Sequence, residues 1–210
     1  MTKIKICGLS RAEDIQAANV LKPDYIGFVF AKSPRQVNWQ QAIALKHLLH
    51  PSIKAVGVFV KETVDNIATI AERGCIDIIQ LHSDETPQFC RELRKLTDKP
   101  IIKAIRVKEA ASLKDLRSYD CDYFLFDAFS DKVFGGGGKT FDYSFLREIE
   151  IPKPFFMAGG ISAGNVHEVV AETNPYGVDI SGGVETNKKK DPAKMAKIIQ
   201  IVRKGDKNND

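Results

Sequence analysis

The residues able to do chemistry in this chain stand at, or just past, the ends of short apolar runs: Cys7, Arg35, Gln80, His82, Arg106, Asp127 and Asp179. Cys7 follows Lys3-Ile4-Lys5-Ile6. A thiol has a reference pKa of about 8.5, and a basic phosphate-binding site can lower it toward neutrality, which would make Cys7 a usable base. Taken alone, a buried cysteine is simply a small hydrophobe. Asp127 ends the apolar run Tyr123-Phe124-Leu125-Phe126. Desolvation there favours the protonated carboxyl and so a proton donor; the alternative is a helix or loop cap. An acid and a base on opposite sides of one substrate is what a proton-transfer isomerase requires. Arg35, in the proline-stiffened Ser33-Pro34-Arg35, could clamp a carboxylate or be an ordinary surface arginine.

Two glycine pairs point to a phosphate. Gly159-Gly160 follows one strand-like run, and Gly182-Gly183 follows Ser181 at the end of the next. Glycine lets backbone N–H groups approach phosphate oxygens, although one pair alone could be no more than a tight turn. Gly135–Gly138 with Lys139 and Thr140 ends like a nucleotide-binding loop, but that motif needs glycine at position 133, which is Val133. It reads instead as a loop over an active site. The four cysteines form no C-x-x-C pair, and His47 and His50 have no Glu or Cys to complete a metal set. No metal or dinucleotide is therefore expected.

Eight β-rich runs must position these groups: Lys3–Ile6, Tyr25–Phe30, Ala55–Val60, Ile76–Leu81, Ile101–Ile105, Tyr123–Phe126, Pro154–Ala158 and Gly177–Ser181. Most are apolar nearly throughout, as strands buried on both faces are. Their starts lie about 21–31 residues apart, room for a strand, a crossover helix and two loops. Between them, Ser10-Arg11-Ala12-Glu13 reads as a capping box, Thr63–Arg73 as an apolar-striped helix stopped by Gly74, and Thr86-Pro87 as a helix start. Ala163–Ala171 and Asp191–Val202 read as two further helices. The pattern predicts a single compact α/β domain, a (β/α)8 TIM barrel over residues 1–203, with 204–210 as a fraying polar tail. A doubly wound open sheet would carry a glycine-rich turn after its first strand; here Cys7-Gly8-Leu9-Ser10 stands there.

Composition narrows the partners. Of 210 residues, 43% are hydrophobic and 28% charged, ordinary for a globular protein. No apolar run approaches the ~20 residues of a membrane-spanning helix, and no signal-peptide segment opens the chain, so a cytoplasmic protein without membrane contact is expected. The net charge of +4 permits anionic ligands. Lys188, Lys189, Lys190, Lys194, Lys197, Arg203 and Lys204 carry no interleaved aromatics and read as a solvated helix face, not a nucleic-acid patch. The expected partner is a small phosphorylated substrate; monomer and homodimer both stay open.

Taken in order, Lys5-Ile6-Cys7-Gly8-Leu9, Gly27-Phe28-Val29-Phe30 with Ser33-Pro34-Arg35, Gln80-Leu81-His82, Lys103-Ala104-Ile105-Arg106, Phe126-Asp127-Ala128, Gly138-Lys139-Thr140-Phe141-Asp142, Ala158-Gly159-Gly160-Ile161 and Gly177–Glu185 closely resemble the phosphoribosylanthranilate isomerase family of tryptophan biosynthesis. The resemblance implies an aldose–ketose (Amadori) rearrangement of N-(5-phosphoribosyl)anthranilate to 1-(2-carboxyphenylamino)-1-deoxyribulose 5-phosphate without a cofactor. It implies Asp127 as general acid, Cys7 as general base, and Arg35 on the anthranilate carboxylate. His82, Gly159, Gly160, Asp179, Ser181, Gly182 and Gly183 would complete the substrate-binding set, with the loop amides on the phosphate. Three positions depart from the family pattern: Ser83 and Tyr143 replace a glycine and a tryptophan, and Gly182 replaces a serine. Two rival readings are a metal-dependent epimerase on the same kind of barrel, and a phosphate-binding protein without activity.

Overall fold

The computed structural model describes residues 1–107, 110–127, 146 and 149–207. Eight parallel strands close into a barrel in chain order: β1 (Lys3–Cys7), β2 (Tyr25–Val29), β3 (Lys54–Phe59), β4 (Ile78–Leu81), β5 (Ile101–Arg106), β6 (Tyr123–Asp127), β7 (Phe155–Ala158) and β8 (Gly177–Ile180), which returns to pair with β1. Successive side chains of a strand point to opposite faces. On β1, therefore, Ile4 and Ile6 join the cluster between strands and helices, while Lys5 and Cys7 share the inner face. Tyr25, Val56, Ile78, Ile102, Ala104, Leu125, Phe156 and Ala158 form a separate cluster that fills the barrel. Phe156 requires the hydrogen of Gly177: a Cβ built there would lie 2.7 Å from its ring.

The crossovers carry α1 (Ala12–Leu21), α2 (Trp39–Leu48), α3 (Val64–Glu72), α4 (Pro87–Arg94), α5 (Val166–Thr173) and α6 (Pro192–Lys207). Thr63 and Thr86 cap α3 and α4 through side-chain oxygens that accept from Asn66 and Phe89 N–H, and Pro87 opens α4. Asp191 caps α6 by accepting from Ala193 N–H at 2.9 Å. Among the described residues, no helix is long and apolar enough to cross a membrane.

Several elements differ from the sequence expectation. The cap of α1 is Arg11, not Ser10, because Asp14 Oδ2 accepts from both Ser10 and Arg11 N–H at 3.1 Å. Instead of a helix, the described part of the β5–β6 crossover holds two single 3-10 turns, Ala110–Leu113 and Leu116–Ser118. α5 starts at Val166, three residues late, and α6 continues to Lys207 through the stretch expected to fray. Lys188–Lys190 do not lie on a helix face. Lys189–Lys190 (β10) pairs antiparallel with Glu185–Thr186 (β9), and Lys190 is buried.

At the N-terminal end of the barrel one device recurs three times. The aspartate just before β2, β4 and β6 reaches back to a backbone N–H on the preceding strand. Asp24 accepts from Ile4 at 3.0 Å, Asp77 from Ala55 at 2.7 Å and Asp122 from Ile101 at 2.7 Å. Each carboxylate also meets a cation, respectively Lys3, Lys46 and Arg94.

Candidate active site

Because all eight strands run parallel, their C-terminal ends share one rim. Cys7 is the last residue of β1 and Asp127 the last of β6. Inner-face alternation turns both toward the barrel axis, three strands apart by way of β7 and β8. Cys7 is buried, and its sulfur occupies space that Gly27 leaves on β2: a Cβ on Gly27 would stand 2.6 Å from Sγ. Burial pushes the thiol upward; Lys5 and Lys190 pull it down and Asp179 opposes them, leaving a net rise. Lowering toward neutrality, expected from a basic site, is therefore not the balance here.

Below Cys7 lies a buried ion pair. Lys5 Nζ donates to Asp179 Oδ2 at 2.8 Å across the β1–β8 seam, where the two residues are in register. Asp179 thus sits one layer beneath the rim; its Oδ1 is buried and has no hydrogen-bond partner among the described residues. Across the rim, Gln80 Nε2 donates to His82 Nδ1 at 2.8 Å. That leaves the proton on His82 Nε2, which lies 3.3 Å from Asp127 Oδ2. Arg106 ends β5 beside Asp127, its register partner. Ser83, where the family pattern has glycine, is not among the residues of positive φ, so glycine is not needed there.

The glycine pairs come together. Gly159 and Gly160 have φ of 91° and 65°, a region open to glycine at little cost. Gly183 lies so close to the loop after β7 that a Cβ on it would stand 1.9 Å from the Ile161 carbonyl oxygen. At Gly160 and Gly182 a Cβ would meet nothing within 4 Å. Gly182–Val184 form one 3-10 turn, and the first N–H groups of a helical turn have no partner within it. The Ser181 hydroxyl is already engaged, donating to the Cys7 carbonyl at 3.2 Å.

Arg35 lies across Gly8, whose φ of 84° and missing Cβ admit it: a Cβ there would stand 2.5 Å from Arg35 Cδ. Its Nε and Nη2 donate to Glu185 Oε1 and Oε2 at 2.6 and 2.7 Å. Sequence reasoning missed Lys5, Glu185 and Lys190. Lys5 was signalled by the alternation Lys3-Ile4-Lys5-Ile6-Cys7, which puts both lysines on the face of Cys7; Lys190 was hidden in a run of three lysines. Ala128, the glycine-rich loop from Gly135 to Thr140 and Tyr143 lie outside the described residues.

The barrel that carries this thiol and carboxyl on one rim is similar to known proteins over nearly its whole length. The family model for N-(5'-phosphoribosyl)anthranilate (PRA) isomerase matches residues 4–201. The chain belongs to the phosphoribosylanthranilate isomerase family. A family member from Thermoanaerobacter sp. (strain X514) is 45% identical over 203 residues, covering 97% of this chain and 98% of that one. The crystal structure of the Thermotoga maritima enzyme superposes with a TM-score of 0.87 at 30% identity, covering 97% of this chain and all of that one. A second crystal structure of a phosphoribosylanthranilate isomerase, in complex with reduced 1-(o-carboxyphenylamino)-1-deoxyribulose 5-phosphate, superposes at 0.84 with 28% identity and covers 97% and 100%. This chain is an isomerase of phosphoribosylanthranilate in tryptophan biosynthesis.

Proposed function

We propose that the isomerisation runs between Asp127 and Cys7. The observation that carries this reading is their common place, on inward-facing strand ends of one rim. Asp127 gives its proton to the furanose ring oxygen; the C1–O bond breaks, and the anilinic nitrogen lone pair forms the C1=N iminium. The Cys7 thiolate then takes the proton from C2, and the freed electron pair forms an enolamine as the iminium collapses. Protonation at C1 and loss of the C2 hydroxyl proton give the ketone. The iminium is itself the electron sink, so the chemistry needs no cofactor.

The loop amides of Gly159, Gly160 and Ser181–Gly183 hold the phosphate, favoured by the close contact of Gly183 with Ile161 and the open space at Gly160 and Gly182. Arg35 meets the anthranilate carboxylate. His82 holds Asp127 from one side, and Asp179 supports the site from below through Lys5. All of these residues belong to one barrel, whose last helix runs to Lys207, so a monomer or a homodimer in the cytoplasm would be competent. Turnover of phosphoribosylanthranilate, followed by anthranilate fluorescence, tests the pair. Cys7→Ser and Asp127→Asn are each expected to lower kcat by at least ~10²–10⁴. Full activity in either variant removes that residue from its role.

A further inference from the structure

Glu185 and Lys190 face each other across the β9–β10 hairpin, and neither is the acid or the base of the proposed reaction. Glu185 gives both oxygens to Arg35, and Lys190 Nζ donates to the same Oε1 at 2.7 Å and to the Ser181 carbonyl at 3.0 Å. The Glu185 and Lys190 side chains are 8% and 2% exposed, whereas Arg35 keeps 30%. Arg35 lines a hollow of ≈ 240 Å³ bordered also by Gly8, Pro34, the Arg11–Asp14 ion pair and Lys188–Lys190 of the hairpin. Within the Arg35–Glu185–Lys190 cluster, two cations and one anion leave a single positive charge, and of the three side chains Arg35 is the most exposed. Arginine and glutamate alone would be a neutral pair, with little attraction for a further anion. Glu185 occupies the Nε–Nη2 edge of the guanidinium, which leaves the Nη1–Nη2 edge for a second carboxylate.

We propose that the hairpin sets specificity for the aromatic end of the substrate. Lys190 offsets the charge of Glu185, Glu185 holds Arg35 in place, and the three present one fixed positive charge to the anthranilate carboxylate. Glu185 and Lys190 are positioning residues that act through Arg35, and the proposal rests on the reading that Arg35 meets that carboxylate.

The test compares dissociation constants for two ligands, reduced 1-(2-carboxyphenylamino)-1-deoxyribulose 5-phosphate and its phenylamino counterpart without the carboxyl. Their ratio is the carboxylate preference. Losses of folding, or of grip on the phosphate through Ser181, act on both ligands and cancel. Arg35→Met is expected to cut the preference about 10- to 100-fold, the worth of a charge-assisted hydrogen bond or two. Lys190→Met, and Lys190→Gln should the first fold poorly, cut it about tenfold. The double variant Glu185→Gln/Lys190→Met, in which Arg35 is again unopposed, recovers to within about threefold of wild type. If Arg35→Met loses the preference while both Lys190 variants keep it, the hairpin proposal falls and the role of Arg35 stands. A double variant as poor as Lys190→Met also overturns the proposal. If Arg35→Met keeps the preference, the role of Arg35 falls, and the proposal with it.

Discussion

At the scale of single residues, the site depends on side chains that are absent as much as on those present. Cys7 Sγ fits against β2 because position 27 has no Cβ, and Arg35 crosses β1's outgoing turn because position 8 has none. Gly27→Ala would place a methyl 2.6 Å from the sulfur and displace it, since the neighbouring backbone belongs to a closed sheet that cannot yield. A shift of about 1 Å in a reacting group costs on the order of 10²-fold. Gly27→Ala is therefore expected to lower kcat by about that factor while the circular-dichroism spectrum stays that of wild type; an unaltered kcat would contradict the packing argument. Cys7, Asp127, Arg35 and the glycine pairs were legible as residue types at strand ends. Which of them were already partnered was not, because a partner 150 residues away, as Glu185 is from Arg35, leaves no local trace.

At the scale of elements, strand positions were readable from apolar runs, since strands covered on both faces need little else. The helix from Thr63 was readable from its apolar stripe and Gly74, and the one from Thr86 from the Thr86-Pro87 start. The β5–β6 crossover and the β9–β10 hairpin were not. The hairpin turns at Asn187 and Lys188, both with positive φ, and a lysine in that conformation gives no sequence signal of a turn. The aspartates before β2, β4 and β6 are a signal that could have been used: each closes a floor-level hydrogen bond that ties one strand to the next. Asp122→Ala orphans the N–H of Ile101, which is fully buried. The expected loss is about 1–3 kcal/mol in urea unfolding. Because this contact lies at the end of the barrel away from the rim, kcat should hold near wild type; equal loss of activity would argue that the two ends are coupled.

At the scale of the whole molecule, the environment of Cys7 is assembled from three separate stretches: Lys5 on β1, Asp179 on β8 and Lys190 on the hairpin. Burial outweighs the two lysines, so the thiol loses its proton above the ordinary thiol range. A raised base pKa moves the ascending limb of a pH profile to higher pH. In the free enzyme, kcat/KM is thus expected to keep rising beyond pH ~8.5, the reference value for a thiol. Lys190→Met should shift that limb further upward, because one of the two cations that favour the thiolate is gone. A limb centred below pH ~8.5 would show that a different group is the base, or that burial does not dominate.

The amino-acid sequence alone determined the repeating strand-and-crossover pattern, the residue types on the rim and the family, because these depend on local periodicity and on motifs contiguous in the chain. Tertiary structure alone decided the charge state of the site. The ion pair beneath Cys7 joins residues 174 apart, and the lysine that looked solvated is buried among Glu185 and Ser181. Electrostatic energy depends on distance and burial in space, and neither is encoded in separation along the chain.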